Sequence, residues 1–150
     1  MLPYRSACGS VLPYVGRVYV AKCSGNEKVG VATATIKGCG NYKGTVKKKF
    51  TIVPTTPSLY TPGGERKAIW VEWGYLPSQV TGYQLLITRD KTFSSKNKRL
   101  VTVRDNEITS KKISKLKAKK TYYVKVRSYK TVGGKTYYSP WSDARSVKTY

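Results

Sequence analysis

The chain has 150 residues, which is enough for one ordinary domain or two small ones. Its 39% hydrophobic and 12% aromatic content is too high for a disordered chain, and no stretch approaches the ~20 apolar residues of a membrane-spanning helix. The net charge of +22, from 29 Lys and Arg against 7 Asp and Glu, favours anionic partners.

This positive charge is spread along the chain and is not gathered in a tail. Residues 1–53 carry a net charge of +8, and residues 54–150 carry +14. Two interpretations are open. The field attracts nucleic acid, teichoic-type wall polymers, acidic glycans or anionic lipid, or lysine simply keeps the edges of β-sheets soluble and apart.

The first 53 residues predict a small β-rich module. Residues 1–16 show no clear period and no apolar run typical of a signal peptide. Strands are predicted at 18–21, 29–37 and 46–53, and the last two are rich in β-branched residues. A turn at 24–26 and a glycine-rich loop at 38–44 separate them.

All three cysteines, Cys8, Cys23 and Cys39, lie in this module. The chain has no CxxC pair and no histidine, so the sequence contains no metal-binding pattern. Cys39 lies ~10 residues beyond the near end of the 24–26 turn, or roughly 33 Å of extended strand. Because a disulfide joins Cα atoms only ~6 Å apart, we predict free cysteines, with one disulfide and one free thiol as the alternative.

Pro54 and Pro57 mark a boundary, because proline cannot donate a hydrogen bond to a sheet. Beyond it, strands are predicted at 68–73, 82–88, 99–103, 108–113, 119–130 and 146–149, with a turn at Gly133 and Gly134. Counting the proline pair, which reads as a short extended linker or a first edge strand, about seven short strands in ~100 residues, without helical periodicity, predict an all-β sandwich. The predicted modules are therefore residues 1–53 and 54–150.

The strongest strand signal is at 119–130, read KKTYYVKVRSYK. Its residues alternate between two faces, as a half-buried antiparallel strand requires. The inward set is Tyr122, Val124 and Val126, and the outward set is Tyr123, Lys125, Arg127 and Tyr129. Leu116 precedes Tyr122 by six residues, a spacing similar to the tyrosine corner, in which the phenol hydroxyl bonds the backbone a few residues upstream.

Several motifs follow one another in the second module. They are Trp73, the pair Gly82 and Tyr83, Leu116 with Tyr122, and the pair Trp141 and Ser142. In this order they resemble the fibronectin type III family over roughly residues 55–150. The resemblance implies an immunoglobulin-like sandwich with structural roles for Trp73, Tyr83, Leu116, Tyr122 and Trp141. The turn at 132–135 contains no Arg-Gly-Asp, so integrin binding is not implied.

The first module carries a second resemblance. Residues 29–52, VGVATATIKGCGNYKGTVKKKFTI, resemble the end of an immunoglobulin-like repeat of Gram-positive surface proteins, and DKTF at 90–93 resembles fibronectin type III copies in such proteins. Cys39 stands where a lysine is more usual, and Cys23 where an aromatic residue is. The resemblance implies an extracellular or cell-surface location and a fragment of a larger exported protein.

Catalysis is not expected. Histidine, the usual base for a serine or cysteine nucleophile, is missing. The carboxylates form no motif, and most are predicted at strand ends and loops. They are Glu27, Glu65, Glu72, Asp90, Asp105, Glu107 and Asp143. We therefore predict no enzyme and no cofactor.

The outward residues Tyr123, Lys125, Arg127 and Tyr129 form one candidate binding surface together with Trp70. Bases or sugar rings can stack on such aromatic side chains while the cations contact phosphates. The RNA-recognition signature is missing from TYYVKVRSY. The alternative is that these side chains pack across strands. Trp70, outward beside Glu72, is either covered by the proline-rich linker or the first module, which we favour, or exposed as a contact.

These patterns predict a non-catalytic structural or adhesive module of a secreted or cell-surface bacterial protein. It acts as a spacer with weak, salt-sensitive attraction to anionic cell-wall polymers or glycans, and it contacts neighbouring modules. One alternative is a nucleic-acid-binding protein that uses the basic and aromatic face of residues 119–130. A second alternative is an accessory module of a carbohydrate-active enzyme.

Overall fold

The computed structural model describes residues 11–14, 17–38 and 43–150, and every regular element among them is a β-strand. This confirms the all-β prediction. The chain divides into two compact units, Met1–Ile52 and Val53–Tyr150. Within the described ranges, no helix has the length and apolarity needed to cross a membrane.

The first unit is an antiparallel meander of four strands in the order β1-β2-β3-β4. The strands are β1 (Val11–Tyr14), β2 (Arg17–Ser24), β3 (Gly30–Gly38) and β4 (Thr45–Ile52). The predicted strands overlap the last three. The first strand was not predicted because its sequence, VLPY, is short and contains a proline; its pairing with β2 defines it.

Cys23 lies on β2 opposite Ala34 of β3 and is disulfide-bonded. The prediction of free cysteines is therefore wrong for this residue. The spacing along extended strands limits only a bond between Cys23 and Cys39, and it leaves Cys8 unrestricted. Both remaining cysteines, Cys8 and Cys39, lie outside the described residues.

The second unit contains two sheets. Its strands are β5 (Gly63–Glu65), β6 (Ala68–Glu72), β7 (Gly82–Thr88), β8 (Arg99–Val103), β9 (Ser110–Ile113), β10 (Thr121–Val132), β11 (Lys135–Tyr138) and β12 (Arg145–Lys148). One sheet has the order β5-β6-β9, and the other has the order β11-β10-β7-β8 with β12 also paired to β10. The strands β5 and β11 were not predicted, because they are only three and four residues long. Each is defined by its pairing with one longer neighbour, β6 or β10.

The core of the second unit lies between these sheets. Alternate residues of β6, β7 and β10 point into it, so Ile69, Val71, Leu85 and Val126 have no exposed surface. Trp73, only 1% exposed, tilts against Tyr83 with ring centroids 5.4 Å apart. Burial of this kind supplies the main favourable term in folding.

Tyr122 forms the predicted tyrosine corner. Its side chain is buried, and its hydroxyl oxygen accepts a hydrogen bond from the backbone N–H of Lys117 at 2.9 Å. Leu116 packs against the core just before this contact. The corner therefore fixes the loop that leads into β10.

Glycine is required at two places near β10. Gly133 and Gly134 both have positive φ, 55° and 78°, which a two-residue hairpin between β10 and β11 requires. A Cβ atom on Gly82 would lie 2.1 Å from the carbonyl oxygen of Val103 and 2.9 Å from the hydroxyl of Tyr129. Gly82 thus lets β8 and the Tyr129 ring approach the start of β7.

Candidate functional site

The outer face of the five-stranded sheet carries four of the five predicted binding residues. β10 lies at the centre of this sheet, and Tyr123, Lys125, Arg127 and Tyr129 take its alternate positions. The three residues between them, Val124, Val126 and Ser128, point inward and have no exposed surface. The strand therefore presents the four side chains together, as the period-two pattern predicts.

Arg127 is enclosed by contacts from its own sheet. Its guanidinium carbon lies 4.0 Å from the ring centroid of Tyr138 and 4.3 Å from that of Trp141. Its Nε and Nη2 atoms both donate hydrogen bonds to Oε1 of Gln84, at 3.0 and 2.7 Å. Burial lowers the pKa of the Arg127 guanidinium, and Tyr138 acts in the opposite direction. Arg127 therefore binds the sheet together, with two of its nitrogens and two ring contacts already engaged.

Tyr129 also packs within the sheet. Only 8% of its surface is exposed, and its ring centroid lies 6.2 Å from that of Tyr138. Burial raises the pKa of its phenol, Arg104 lowers it and Tyr138 raises it further. Tyr129 is thus on the predicted face but has little surface left for a ligand.

Lys125 and Tyr123, like Arg127, are half-buried. The Lys125 ammonium lies 4.5 Å above the centroid of the Phe93 ring, which belongs to the loop between β7 and β8. This geometry is that of a cation–π contact.

Trp141 is the exception among the predicted core residues. Trp73, Tyr83 and Tyr122 lie in the buried core and Leu116 packs against it, but Trp141 is half-buried and stacks on Arg127. The physical reason is its position in the segment between β11 and β12, where the ring covers a guanidinium on the outer face. The stacking arrangement was missed because the sequence does not show which residues face one another across strands.

Gln84 is a further residue of this face that sequence reasoning missed. Its Nε2 donates to Oγ1 of Thr102 at 3.2 Å, which continues the line of contacts from Arg127 across β7 to β8. The period-two alternation of β7 could have placed Gln84 on the outer face, since Gln84 lies between the inward residues Tyr83 and Leu85.

Trp70 lies in the other sheet, on β6, so the structure does not bring it together with the β10 residues. Its Nε1–H donates to Oε1 of Glu72 at 2.8 Å, and 38% of its surface remains exposed. Cover of this ring by the linker or the first module stays a prediction. In the sheet register Trp70 lies opposite Gly63 of β5 on one side and Lys112 of β9 on the other.

The carboxylates of the second unit make separate local contacts. Glu72 accepts from Trp70, Glu65 forms an ion pair with Lys112, and Asp105 accepts from the backbone N–H of Glu107. Within the described parts of the chain, no three Cys, Asp or Glu side chains come together as metal ligands. A depression of about 320 Å³ between residues 56–59 and 142–145 holds one carboxylate, Asp143.

Asp90 organises the loop between β7 and β8. Its carboxylate accepts hydrogen bonds from the hydroxyl and the backbone N–H of Thr92, from the Ser94 hydroxyl and from the Ser95 N–H. These bonds, led by the Thr92 hydroxyl, hold the pKa of Asp90 well below its usual range. The carboxylate is thus committed to its own loop.

The fold and these contacts define an immunoglobulin-like β-sandwich in the second unit, and the family model for the fibronectin type III domain matches residues 54–145. The chain therefore belongs to the fibronectin type III family. No curated protein matches the chain.

Solved structures with the same fold are distant in sequence. A two-domain fibronectin type III segment of chicken tenascin is 21% identical, with a TM-score of 0.57, and the match covers 79% of this chain and 65% of that one. The chicken CNTN1 FN1–FN3 domains are 20% identical, with a TM-score of 0.53, covering 80% and 41%. A β-1,2-glucanase from Parabacteroides distasonis is 18% identical, with a TM-score of 0.50, covering 79% and 18%. The chain spans less than two thirds of each of these three structures, and the likeness shows the fold alone.

Proposed function

We propose that the chain is a non-catalytic structural and adhesive module, which acts as a spacer with weak, salt-sensitive attraction to anionic polymers such as cell-wall polymers or acidic glycans. The charge balance of the second unit carries this proposal. Residues 54–150, all of them described, hold 20 basic and 6 acidic residues but form one ion pair, between Lys112 and Glu65. Exposed cations without carboxylate partners attract polyanions from solution.

A structural role is supported by the way the chemically active side chains are used. The chain has no histidine, and Glu65, Glu72, Asp90 and Asp105 each serve a local contact within their own sheet or loop. General acid–base chemistry requires a titratable group poised to exchange a proton with a substrate. These four carboxylates stabilise the fold instead.

A secreted or cell-surface location is part of the same proposal. Disulfides form and persist mainly in oxidising environments outside the cytosol. The disulfide bond of Cys23 supports this location. The family resemblance to modules of exported bacterial proteins points in the same direction.

An accessory module of a carbohydrate-active enzyme is the second candidate. The fold match within the β-1,2-glucanase structure favours it, since that enzyme contains a segment of similar fold. In this case the half-buried Tyr123 and the exposed Trp70 are the predicted binding residues with ring surface left to stack on sugar rings. Such binding is expected to persist at physiological salt, because it does not depend on ion release.

The nucleic-acid alternative has less support from the β10 face. Base stacking requires accessible aromatic rings next to cations that are free to contact phosphates. Arg127 is held by Gln84, Tyr138 and Trp141, and Tyr129 is buried. The charge of the second unit therefore favours contact with phosphates more than recognition of bases.

One binding experiment tests the proposal against both alternatives. The purified chain is titrated with a glycerol-phosphate polymer, single-stranded DNA and a neutral β-glucan at 50 and 200 mM salt. We expect both anionic polymers to bind at low salt and to lose roughly 10³-fold in affinity or more if six or more phosphates are contacted. No anionic binding at 50 mM salt would overturn the proposal, and salt-resistant glucan binding would establish the accessory role.

A further inference from the structure

The cations of the second unit are concentrated at one end of the sandwich. Successive strands cross the sandwich in opposite directions, so every second connecting loop lies at the same end. Residues 65–67, 89–99 and 114–120 belong to one end, which we call the basic pole. Residues 74–81, 104–109 and 133–134 connect the strands at the other end.

Contacts between the loops confirm that the basic pole is one surface. The backbone N–H of Leu116 donates to the carbonyl of Lys67 at 2.9 Å. Nη1 of Arg99 donates to the carbonyl of Ser114 at 2.7 Å. The loop 114–120 therefore touches both of the other two segments.

The charge difference between the two ends is large. The basic pole holds eleven cations, all exposed: Arg66, Lys67, Arg89, Lys91, Lys96, Lys98, Arg99, Lys115, Lys117, Lys119 and Lys120. Its two carboxylates are already engaged, Glu65 with Lys112 and Asp90 within its own loop. The loops of the opposite end hold one cation, Arg104, and two carboxylates, Asp105 and Glu107.

Backbone strain provides a second, independent observation at the basic pole. Five non-glycine residues of the described chain have positive φ, and four of them lie at this pole: Lys67 (53°), Phe93 (56°), Lys115 (62°) and Lys119 (54°). Glycine or asparagine would adopt this conformation at a lower cost in free energy. Three of these four residues are lysines, so strained backbone and positive charge coincide at the basic pole, and strained backbone is concentrated at functional sites.

We propose that the basic pole is the surface through which this module binds a flexible linear phosphodiester polymer of the polyol-phosphate kind. This inference rests on the proposed function and assigns it a site. Eight of the eleven cations are lysines, which contact phosphates as mobile point charges. Within the three segments of the pole the aromatic ring, that of Phe93, is occupied by Lys125, so the contacts we assign to the pole are those of its cations with phosphates.

The test compares two triple variants of the full chain with the same loss of charge and the same new side chain. One carries Lys67→Gln, Lys115→Gln and Lys119→Gln at the pole. The matched control carries Lys47→Gln, Lys48→Gln and Lys49→Gln, three exposed consecutive lysines of β4. The probes are a glycerol-phosphate polymer and single-stranded DNA with the same number of phosphates.

The pole variant should bind the glycerol-phosphate polymer about tenfold more weakly or worse, and the slope of log K against log salt should fall by about 2, since each lost phosphate contact contributes ~0.7. The control should change affinity less than about threefold. An equal loss in both variants, or no loss in either, would overturn the pole while leaving the salt-sensitive attraction intact. If the unaltered chain does not bind the polymer at low salt, the proposed function and the pole both fail.

Two further measurements keep the result decisive. A Lys→Asn triple at the same three positions removes the same charge and suits the left-handed backbone, so it should fold at least as well and lose the same affinity. On the unaltered chain, bound polymer should protect Lys67, Lys115 and Lys119 from acetylation by a factor of about three or more. Equal protection of Lys47–Lys49, or much tighter binding of the DNA, would contradict a pole that recognises polyol phosphate.

Discussion

The two units of this chain are stabilised by different means. The second unit packs two sheets face to face and buries Trp73, Tyr83 and Leu85 almost completely between them. The described part of the first unit is a single four-stranded sheet, and among its residues of described burial only Val29 and Ala32 are buried. A single sheet cannot enclose a core by itself, which makes a covalent link at Cys23 important.

The same strand signal in a sequence can therefore serve two kinds of stability. Alternating β-branched residues predict strands in both units, but only a second layer converts one apolar face into a core. Where that layer is present, removal of a single large buried side chain should cause the largest loss of free energy of unfolding. Where the described residues form one layer, removal of a cross-link should cause the largest loss.

The largest effect is expected for Trp73→Ala, which leaves a cavity in the core of the second unit. The loss of free energy of unfolding should be about 3–5 kcal/mol, as for other buried aromatic truncations. Chemical denaturation followed by tyrosine fluorescence measures it. The matched control is Trp70→Ala, three residues earlier on β6, where removal of a 38% exposed ring should cost less than about 1 kcal/mol. Similar losses in the two variants would contradict the core assigned here.

The next effect is expected for Cys23→Ser, which removes the disulfide of the first unit. The free energy of unfolding of strands β2–β4 should fall by roughly 2–4 kcal/mol. Hydrogen exchange of the backbone amides in β3 measures this loss. Adding a reductant should reproduce it in the unaltered chain and change nothing further in the variant. Unchanged amide protection in the variant would show that the cross-link does not stabilise this sheet.

A third effect separates charge from packing on the outer face. Arg127→Lys keeps the positive charge but loses the paired hydrogen bonds to Gln84 and the planar stacking between Tyr138 and Trp141. The second unit should be destabilised by about 1–2 kcal/mol, with little change in polyanion affinity. The control is Arg104→Lys, an exposed arginine. A large loss of affinity without loss of stability would instead make Arg127 a ligand contact.

A smaller effect is expected for Tyr122→Phe, which deletes the hydroxyl that accepts from the N–H of Lys117. The cost should be about 1 kcal/mol, because the N–H is left in a partly buried position. Thermal unfolding measures it. Tyr123→Phe on the outer face of the same strand is the matched control and should be nearly neutral. Equal effects would argue against a special role for the corner.

The smallest effect concerns alkaline pH. Burial raises the pKa of Tyr83 above its ordinary value of 10.0, although the hydrogen bond from Leu76 lowers it and Tyr75 raises it slightly. A raised pKa stabilises the fold below pH 10, and this contribution is lost as the pH rises above 10. The ionised phenol also cannot donate to the carbonyl of Asn106.

The unfolding free energy of the unaltered chain should therefore fall more steeply above pH 10 than that of Tyr83→Phe. The lysines titrate in the same range, but they are common to both proteins, so the difference between the two profiles isolates Tyr83. Parallel profiles would indicate that this phenol does not contribute to the pH dependence.

Much of the fold could be predicted from the sequence because period-two alternation is a local property of the chain. This alternation located β7 and β10 and placed Tyr83 and Tyr122 inward. The glycine pair itself identified the turn at Gly133 and Gly134. The left-handed turn and the alternation each depend on a few neighbouring residues. The order of motifs in the second unit was also sufficient to indicate its family.

Only the tertiary structure decided which side chains meet. Arg127 and Trp141 are 14 positions apart, and Arg127 and Gln84 are 43 apart, so their contacts arise from strand pairing and not from local sequence. The same holds for the separation of Trp70 from the β10 face, and for the gathering of three lysine-rich loops at one end. Composition determined that the protein is cationic, and the alternating direction of its strands decided where that charge is concentrated.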